Sequence, residues 1–466
     1  MADQSIIRIT KACSPPHCGE LSDIQKNSDL SLAVACRDVD VRNVKALIIG
    51  PHETPYEFGF FETIPESPPA STQLPRMAVG ADSTQTYMLR DEFAYLFSGT
   101  FLRANRRLDV NTEFDCRTWR GERGEEWSSA QGLESILLSI QSLMSSNPYE
   151  NEPGFEDANE AQDKKNQKDY VQKIRHESLR ISVIQRLEEY LGIGADGNVS
   201  ASSTADKDDY EVDMDGLEDA GTAFEPFKDL CKRRFLWYYE SYLESIRKAK
   251  EEVKDGQAFV RMPFEGQGNT MDGKFHYTEL EKRLRNIKKV LDEESKQWAA
   301  QGLSPEFKDA TVTVNLRRQY EQVLEHFKQH GLAHHVELEG GNPFVWVLTY
   351  IGKPMTPLED GLFRITLHLS PRFPEEQPRA KFETRIFHHR IAPDGTPCYY
   401  SSPSRREDMK THLEAIIEML EEEHPPYDPR TLVYPEAFKL YWGSAQDKKQ
   451  YRQRLRRSVQ ASMEDL

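Results

Sequence analysis

The chain has 466 residues, 38% of them hydrophobic and 29% charged, with a formal net charge of −17 at pH 7. That length exceeds what one core supports, so two compact domains with connecting material are expected, and no stretch approaches the roughly eighteen apolar residues of a membrane span. The acidic balance argues against nucleic acid, whose phosphates are held by Lys and Arg, and suits a protein partner with basic patches.

From the N-terminus, the first 28 residues read as irregular, and no signal-peptide pattern is visible at 1–11. Cys13, His17 and Cys18 offer at most three nearby ligands, too few for a structural zinc site, so no metal is expected. These cysteines, with Cys36, Cys116, Cys231 and Cys398, are dispersed and contain no CxxC pair. They read as reduced thiols, which implies cytosol or nucleus.

From Val41 the run VRNVKALIIG reads as a strand, followed by a turn and a returning strand. The turn is spelled twice. Ile49, Gly50, Thr54, Pro55, Glu57, Gly59 and Phe61 recur as Ile351, Gly352, Thr356, Pro357, Glu359, Gly361 and Phe363, at one constant spacing. Pro fixes φ and Gly permits positive φ, as a tight reversal requires, and the repetition predicts one fold present twice.

Between 71 and 115 the alternation expected of further strands is lost, while both flanks keep their pattern, which suggests a reading-frame or gene-model error, or a recent disruptive change. Leu133, Ile136, Leu137 and Ile140 then follow helical spacing, as do Leu413, Ile416, Ile417 and Leu420 later in the chain. Residues 192–223, rich in Gly, Ser and Asp, read as a disordered acidic linker. Two helices are expected over 224–305, the first carrying Phe235, Trp237, Tyr238, Tyr239 and Tyr242, an aromatic stripe read as helix packing in preference to a ligand surface.

In the second copy a leading helix places Leu316, Tyr320, Val323, Leu324 and Phe327 on one face and ends at Gly331. Its returning strand alternates Phe363, Ile365, Leu367 and Leu369 with Arg364, Thr366, His368 and Ser370, which predicts one core face and one wet face. The basic run from Lys448 to Arg457 reads as a solvated helix face or a docking site.

Taken together, IIGPHETPYEFGFF, SIQSLMSSNPYENEPGF, IRHESLRISVIQRLEEYL and MPFEGQGNTMDGKFHYTELEKRL resemble the Z-type ubiquitin-conjugating enzymes over most of residues 29–300. Residues 312–460, with GLFRITLHLSPRFPEEQPRAKFETRIFHHRIAPDGTPC and YDPRTLVYPEAFKLY, resemble the same family more loosely. The resemblance implies an α+β chain of two ubiquitin-conjugating-enzyme-like domains, each an N-terminal helix, a four-stranded antiparallel meander and C-terminal helices. The first would span 29–191, aberrant over 70–115; the second would span 312–460, beyond the linker and the helical extension.

It also implies a cysteine that accepts ubiquitin or a ubiquitin-like modifier as a thioester from an activating enzyme and passes it to lysine, with or without a ligase. ATP would be consumed by the activating enzyme, so no bound cofactor is expected, and the partners would be proteins, with no nucleic acid or membrane. Cys398 stands at the family position, with Gly395 three residues before it, but the family's His-Pro-Asn triplet reads His388, His389, Arg390. A guanidinium can donate hydrogen bonds, though with a geometry unlike an amide. Tyr399 and Tyr400 replace the usual residues after the cysteine. Cys398 is thus a thioester nucleophile or an idle structural thiol, and His388 a structural loop residue more readily than a catalyst. In the first copy Cys116 is three residues before Trp119 where the family has seven, so it is a displaced nucleophile or an unrelated loop cysteine. The alternative to an enzyme is an inactive variant that binds ubiquitin or a partner as an adaptor.

Overall fold

The computed structural model describes residues 30–36, 44–66, 76–78, 133–152, 154–199, 225–265, 271–305, 310–331, 333–401 and 405–464. They divide into two compact units, one of residues 1–227 and 249–280, the other of 228–248 and 281–466. Mixed helices and antiparallel sheets give the α+β class. The 224–305 stretch does not stand apart, because its parts are shared between the two units.

The first unit carries a four-stranded sheet in sequential order, β1 (Leu32–Cys36), β2 (Val44–Ile49), β3 (Phe60–Glu66) and β4 (Arg76–Ala78). β4 pairs with β3 through Ile64↔Ala78 and Glu66↔Arg76, inside the stretch where loss of alternation led us to expect no strand. Backbone pairing asks for no particular side chain, and β3 supplies the template. α1 (Leu133–Ser142) buries Leu137 and Ile140; the Leu133 and Ile136 side chains lie outside the described residues. α2 (Ala161–Glu177) continues through a π-helical segment, Ser178–Gln185, into α3 (Arg186–Leu191). Gly192 closes α3 in the left-handed region, and Ile193 bridges Val199, so residues 192–199 form an ordered turn where the sequence reads as linker. The C-cap glycine and the bond from Gly194 N–H to the Asn198 carbonyl at 2.9 Å supply the order that composition hides. Residues 1–29, Cys116 and residues 200–224 lie outside the described residues.

In the second unit α4 (Lys228–Glu252, of which 228–248 belong here) and α5 (Tyr277–Gln301, from 281 on) precede α6 (Thr311–Gln329). The second sheet follows, β5 (His335–Leu338), β6 (Val345–Ile351), β7 (Leu362–His368) and β8 (Arg379–Phe382), again antiparallel and sequential. It is closed by α7 (Met409–Glu421), α8 (Pro435–Trp442) and α9 (Ala445–Glu464). Phe363, Ile365 and Leu367 of β7 join Trp346 and Leu348 of β6 in a core with Leu316, Val323 and Phe327 of α6 and Leu413 and Ile416 of α7. Leu324, expected on the buried face of α6, is 37% exposed. The other face of β7 is wet only in part: Arg364 is exposed and His368 half-buried, whereas Thr366, and Ser370 just beyond the strand, are buried, as are Val345 and Val347 of β6. An alternating pattern marks which face is apolar, not whether later elements cover the polar one.

The two hairpins are local twins. Gly50 N–H donates to the Gly59 carbonyl at 2.9 Å and Gly352 N–H to that of Gly361 at 2.8 Å. Thr54 Oγ1 donates to Pro51 O and Thr356 Oγ1 to Lys353 O, both at 2.7 Å. Left-handed residues recur at Glu53 and Phe58, and at Met355 and Asp360, with 355 − 53 = 360 − 58 = 302. A Cβ on Gly50 or Gly352 would lie 1.7 Å from the carbonyl oxygen of Tyr56 or Leu358, which accounts for glycine at both.

Candidate active site

Beyond β8 the chain folds into a loop fixed by its own backbone. Phe382 N–H donates to the Gly395 carbonyl at 2.8 Å, Ala392 N–H to that of Thr396 at 2.9 Å, and Cys398 N–H to that of Arg390 at 2.8 Å. Ile391 bridges both His388 and Pro397. Asp394 is held by Thr396 N–H at 3.0 Å and by Lys288 of α5 at 2.8 Å. These bonds place His388, Arg390 and Cys398, three residues singled out from the sequence, in one constellation.

Cys398 has no exposed surface. Its Sγ lies 3.3 Å from the Tyr400 hydroxyl, and the Arg390 guanidinium sits 5.0 Å from the centre of the Tyr400 ring. Burial pushes the thiol pKa up, while Arg390, Tyr400 and Arg234 all favour the thiolate. Arg390 anchors one end of its guanidinium on Glu422 at 2.7 Å, yet its buried Nε finds no hydrogen-bond partner. His388 uses Nδ1 to accept from Arg390 N–H at 3.2 Å. Burial and Arg390 push its pKa down to about 3, so it is a neutral loop brace. His389 is stacked on Tyr441, with ring centres 4.0 Å apart, and is kept neutral by burial and by its neighbours His388 and Arg390.

The residues that sequence reasoning missed come from α4. Trp237 meets the Tyr400 ring edge-on at 5.7 Å, and the Arg234 guanidinium stacks on Trp237 at 4.2 Å with an Nη1 that has no acceptor. The Tyr238 hydroxyl donates to the Arg430 carbonyl at 2.9 Å and Ser241 Oγ to that of Leu432 at 3.3 Å. At the N-terminal end Asp229 is shared by Arg379 at 2.6 Å and Arg233 at 2.9 Å. The aromatic stripe was visible as packing, but nothing in its spacing names the loop it packs on. Beside this contact a cavity of about 570 Å³ is lined by residues including Lys296, His368, Lys381, Pro397 and Tyr399, and Cys398 is not part of its lining.

A protonated thiol without solvent access cannot attack a carbonyl carried by another protein; it can do so only if the surface above it opens. No group of metal-ligating side chains and no membrane-length apolar helix occurs among the described residues.

Residues 315–459 match the family model for ubiquitin-conjugating enzymes. The chain is 30% identical over 299 residues to the ubiquitin-conjugating enzyme E2 Z of Danio rerio, covering 63% of this chain and 70% of that one. It is 35% identical over 188 residues to the E2 Z protein of Xenopus tropicalis, 40% of this chain and 52% of that one, so it spans about half of that relative. It is also 31% identical over 129 residues to ubiquitin-conjugating enzyme E2 2 of Neurospora crassa, 27% of this chain and 80% of that one.

Proposed function

The chain belongs to the ubiquitin-conjugating enzyme family, with its Z-type members among its relatives, and from that membership we propose that it accepts ubiquitin or a ubiquitin-like modifier as a cysteine thioester. The modifier would come from an activating enzyme and pass to a substrate lysine, directly or with a ligase, in the cytoplasm or nucleus. ATP is consumed by the activating enzyme, so this chain needs no cofactor of its own.

In this reading the two cysteines do different work. Cys116 is the carrier, and the second unit is a divergent ubiquitin-conjugating-like domain closed at its own cysteine. The observation that supports the division is the complete enclosure of Cys398. The same enclosure favours a second reading, in which the whole chain is an adaptor that binds ubiquitin or a partner without carrying it.

Incubation with activating enzyme, ubiquitin and ATP separates them. The carrier reading predicts a mass increase of one ubiquitin that is reversed by reductant, lost in Cys116→Ala and kept in Cys398→Ala. No reducible adduct in the unaltered chain would leave the adaptor.

A further inference from the structure

We propose that the cavity of about 570 Å³ on the polar face of the second sheet is a binding site for a small organic phosphate, a phosphate ester of roughly nucleotide size. The site lies wholly within the second unit and does not rest on the conjugating reading above.

Its chemistry follows from the strand pattern. β7 turns Arg364, Thr366 and His368 to one face, and β8 sets Lys381 opposite Thr366 and Arg379 opposite His368. On a sheet left open on that side these side chains would face water. Here they line an enclosed space, to which α5 adds Lys296 and α4 adds Trp237. Its volume falls in the range of about 300–1,000 Å³ that small-molecule sites occupy.

The lining holds donors that lack acceptors. Thr366 is 5% exposed, yet its hydroxyl makes no hydrogen bond among the described residues. The same is true of the half-buried His368 ring, and neither Lys296 nor Lys381 forms an ion pair among them. The other cations are committed, Arg364 to Glu337 at 3.1 Å, and Arg379 and Arg233 to Asp229 at 2.6 and 2.9 Å. Two of the lining carboxylates are also engaged, Asp292 by Lys288 at 2.6 Å and Glu339 by Arg364 at 4.0 Å. That leaves the exposed Glu383 to oppose an incoming anion.

A buried hydroxyl without a partner is costly unless a ligand or water serves it. Burial, with Lys296 and Lys381, holds the His368 pKa below its ordinary value against the pull of Glu339 and Glu383, so its neutral ring keeps one N–H to donate. Two ammonium groups, a hydroxyl and an imidazole together match a phosphate, which accepts on three oxygens and carries the charge the lysines lack. Leu236, Trp237, Pro378, Pro397 and Tyr399 add apolar surface that inorganic phosphate would leave uncovered. An organic remainder fits that part of the space.

Isothermal titration calorimetry of the full-length chain tests the site with adenosine monophosphate, uridine monophosphate and ribose phosphate, each beside its phosphate-free parent and beside inorganic phosphate. At least one ester is expected to bind about tenfold or more tightly than both its parent and inorganic phosphate. Lys296→Gln and Lys381→Gln should each weaken that ester about fivefold or more, and Thr366→Val about threefold. Glu383→Gln should tighten it, and Lys353→Gln, outside the lining, should leave it unchanged. Lys296 is exposed and Lys381 half-buried, so their substitution spares the core, and circular dichroism checks that each variant is folded. No ester preferred over its parent overturns the proposal. So does a preference that survives in the folded Lys296→Gln/Lys381→Gln variant, which would place the phosphate elsewhere on the chain.

Discussion

At Gly395 the backbone has φ +91°, and a Cβ there would lie 2.3 Å from the Phe382 carbonyl oxygen. Gly395→Ala is therefore expected to cost about 2 kcal/mol or more, seen as a lower midpoint in urea denaturation. The same position was legible as a glycine at fixed distance from a cysteine, but the reason for it, the grip of Phe382 on both sides of the turn, is a tertiary contact. In the first unit Glu152 is a comparable case. Burial, with the nearby Glu265 charge, raises its pKa to about 7 even though the Tyr170 hydroxyl donates to it at 3.0 Å. A raised carboxyl pKa means that the folded state holds the proton more tightly than the unfolded chain. Its contribution is fully present below the unfolded pKa, near pH 4.5, and is lost as pH rises through about 7. Stability should fall across that window by up to about 3 kcal/mol, and Glu152→Gln should flatten the slope. An equal slope in the variant would show that Glu152 is not the titrating group.

Among the elements, α4 does what its composition does not announce. Its aromatic face is an ordinary amphipathic signal, and Phe235, Tyr238 and Tyr242 are indeed buried. Yet Arg234, Trp237 and Asp229 act on residues more than 140 positions away, and sequence periodicity identifies a buried face without identifying what buries it. Asp229 is the clearest example. Burial opposes its ionisation, but Arg379 and Arg233 hold its carboxyl below the ordinary range. Asp229→Ala leaves two guanidinium groups sharing no anion, and removing one partner of a buried ion network costs about 3–5 kcal/mol. Asp229→Ala should therefore unfold at lower urea than Arg372→Ala, whose i,i+4 partner Glu376 is paired with a half-exposed side chain. If the two variants unfold alike, the buried network contributes nothing special.

For the whole molecule, the repeated hairpin was the most readable feature, because Gly, Pro and Thr are needed by the turn itself and by nothing distant. The helix faces were readable for the same reason: Leu316, Val323, Leu413 and Ile416 declare themselves by local spacing. What could not be read were the residues whose meaning depends on a second element, such as the buried Thr366 of β7, the α4 contact with the Cys398 loop, and the partly exposed Leu324. The candidate site divides along that line. His388, Arg390 and Cys398 were singled out by the family resemblance, whereas the enclosure of Cys398 came only with the fold. The central claim is that this family member carries its modifier on Cys116 while Cys398 stays enclosed. Peptide mapping of the adduct formed by the unaltered chain with activating enzyme, ubiquitin and ATP tests it most directly. The account predicts the thioester on the Cys116 peptide and none on the Cys398 peptide; a thioester mapped to Cys398 in the unaltered chain, or no thioester at all, would contradict it.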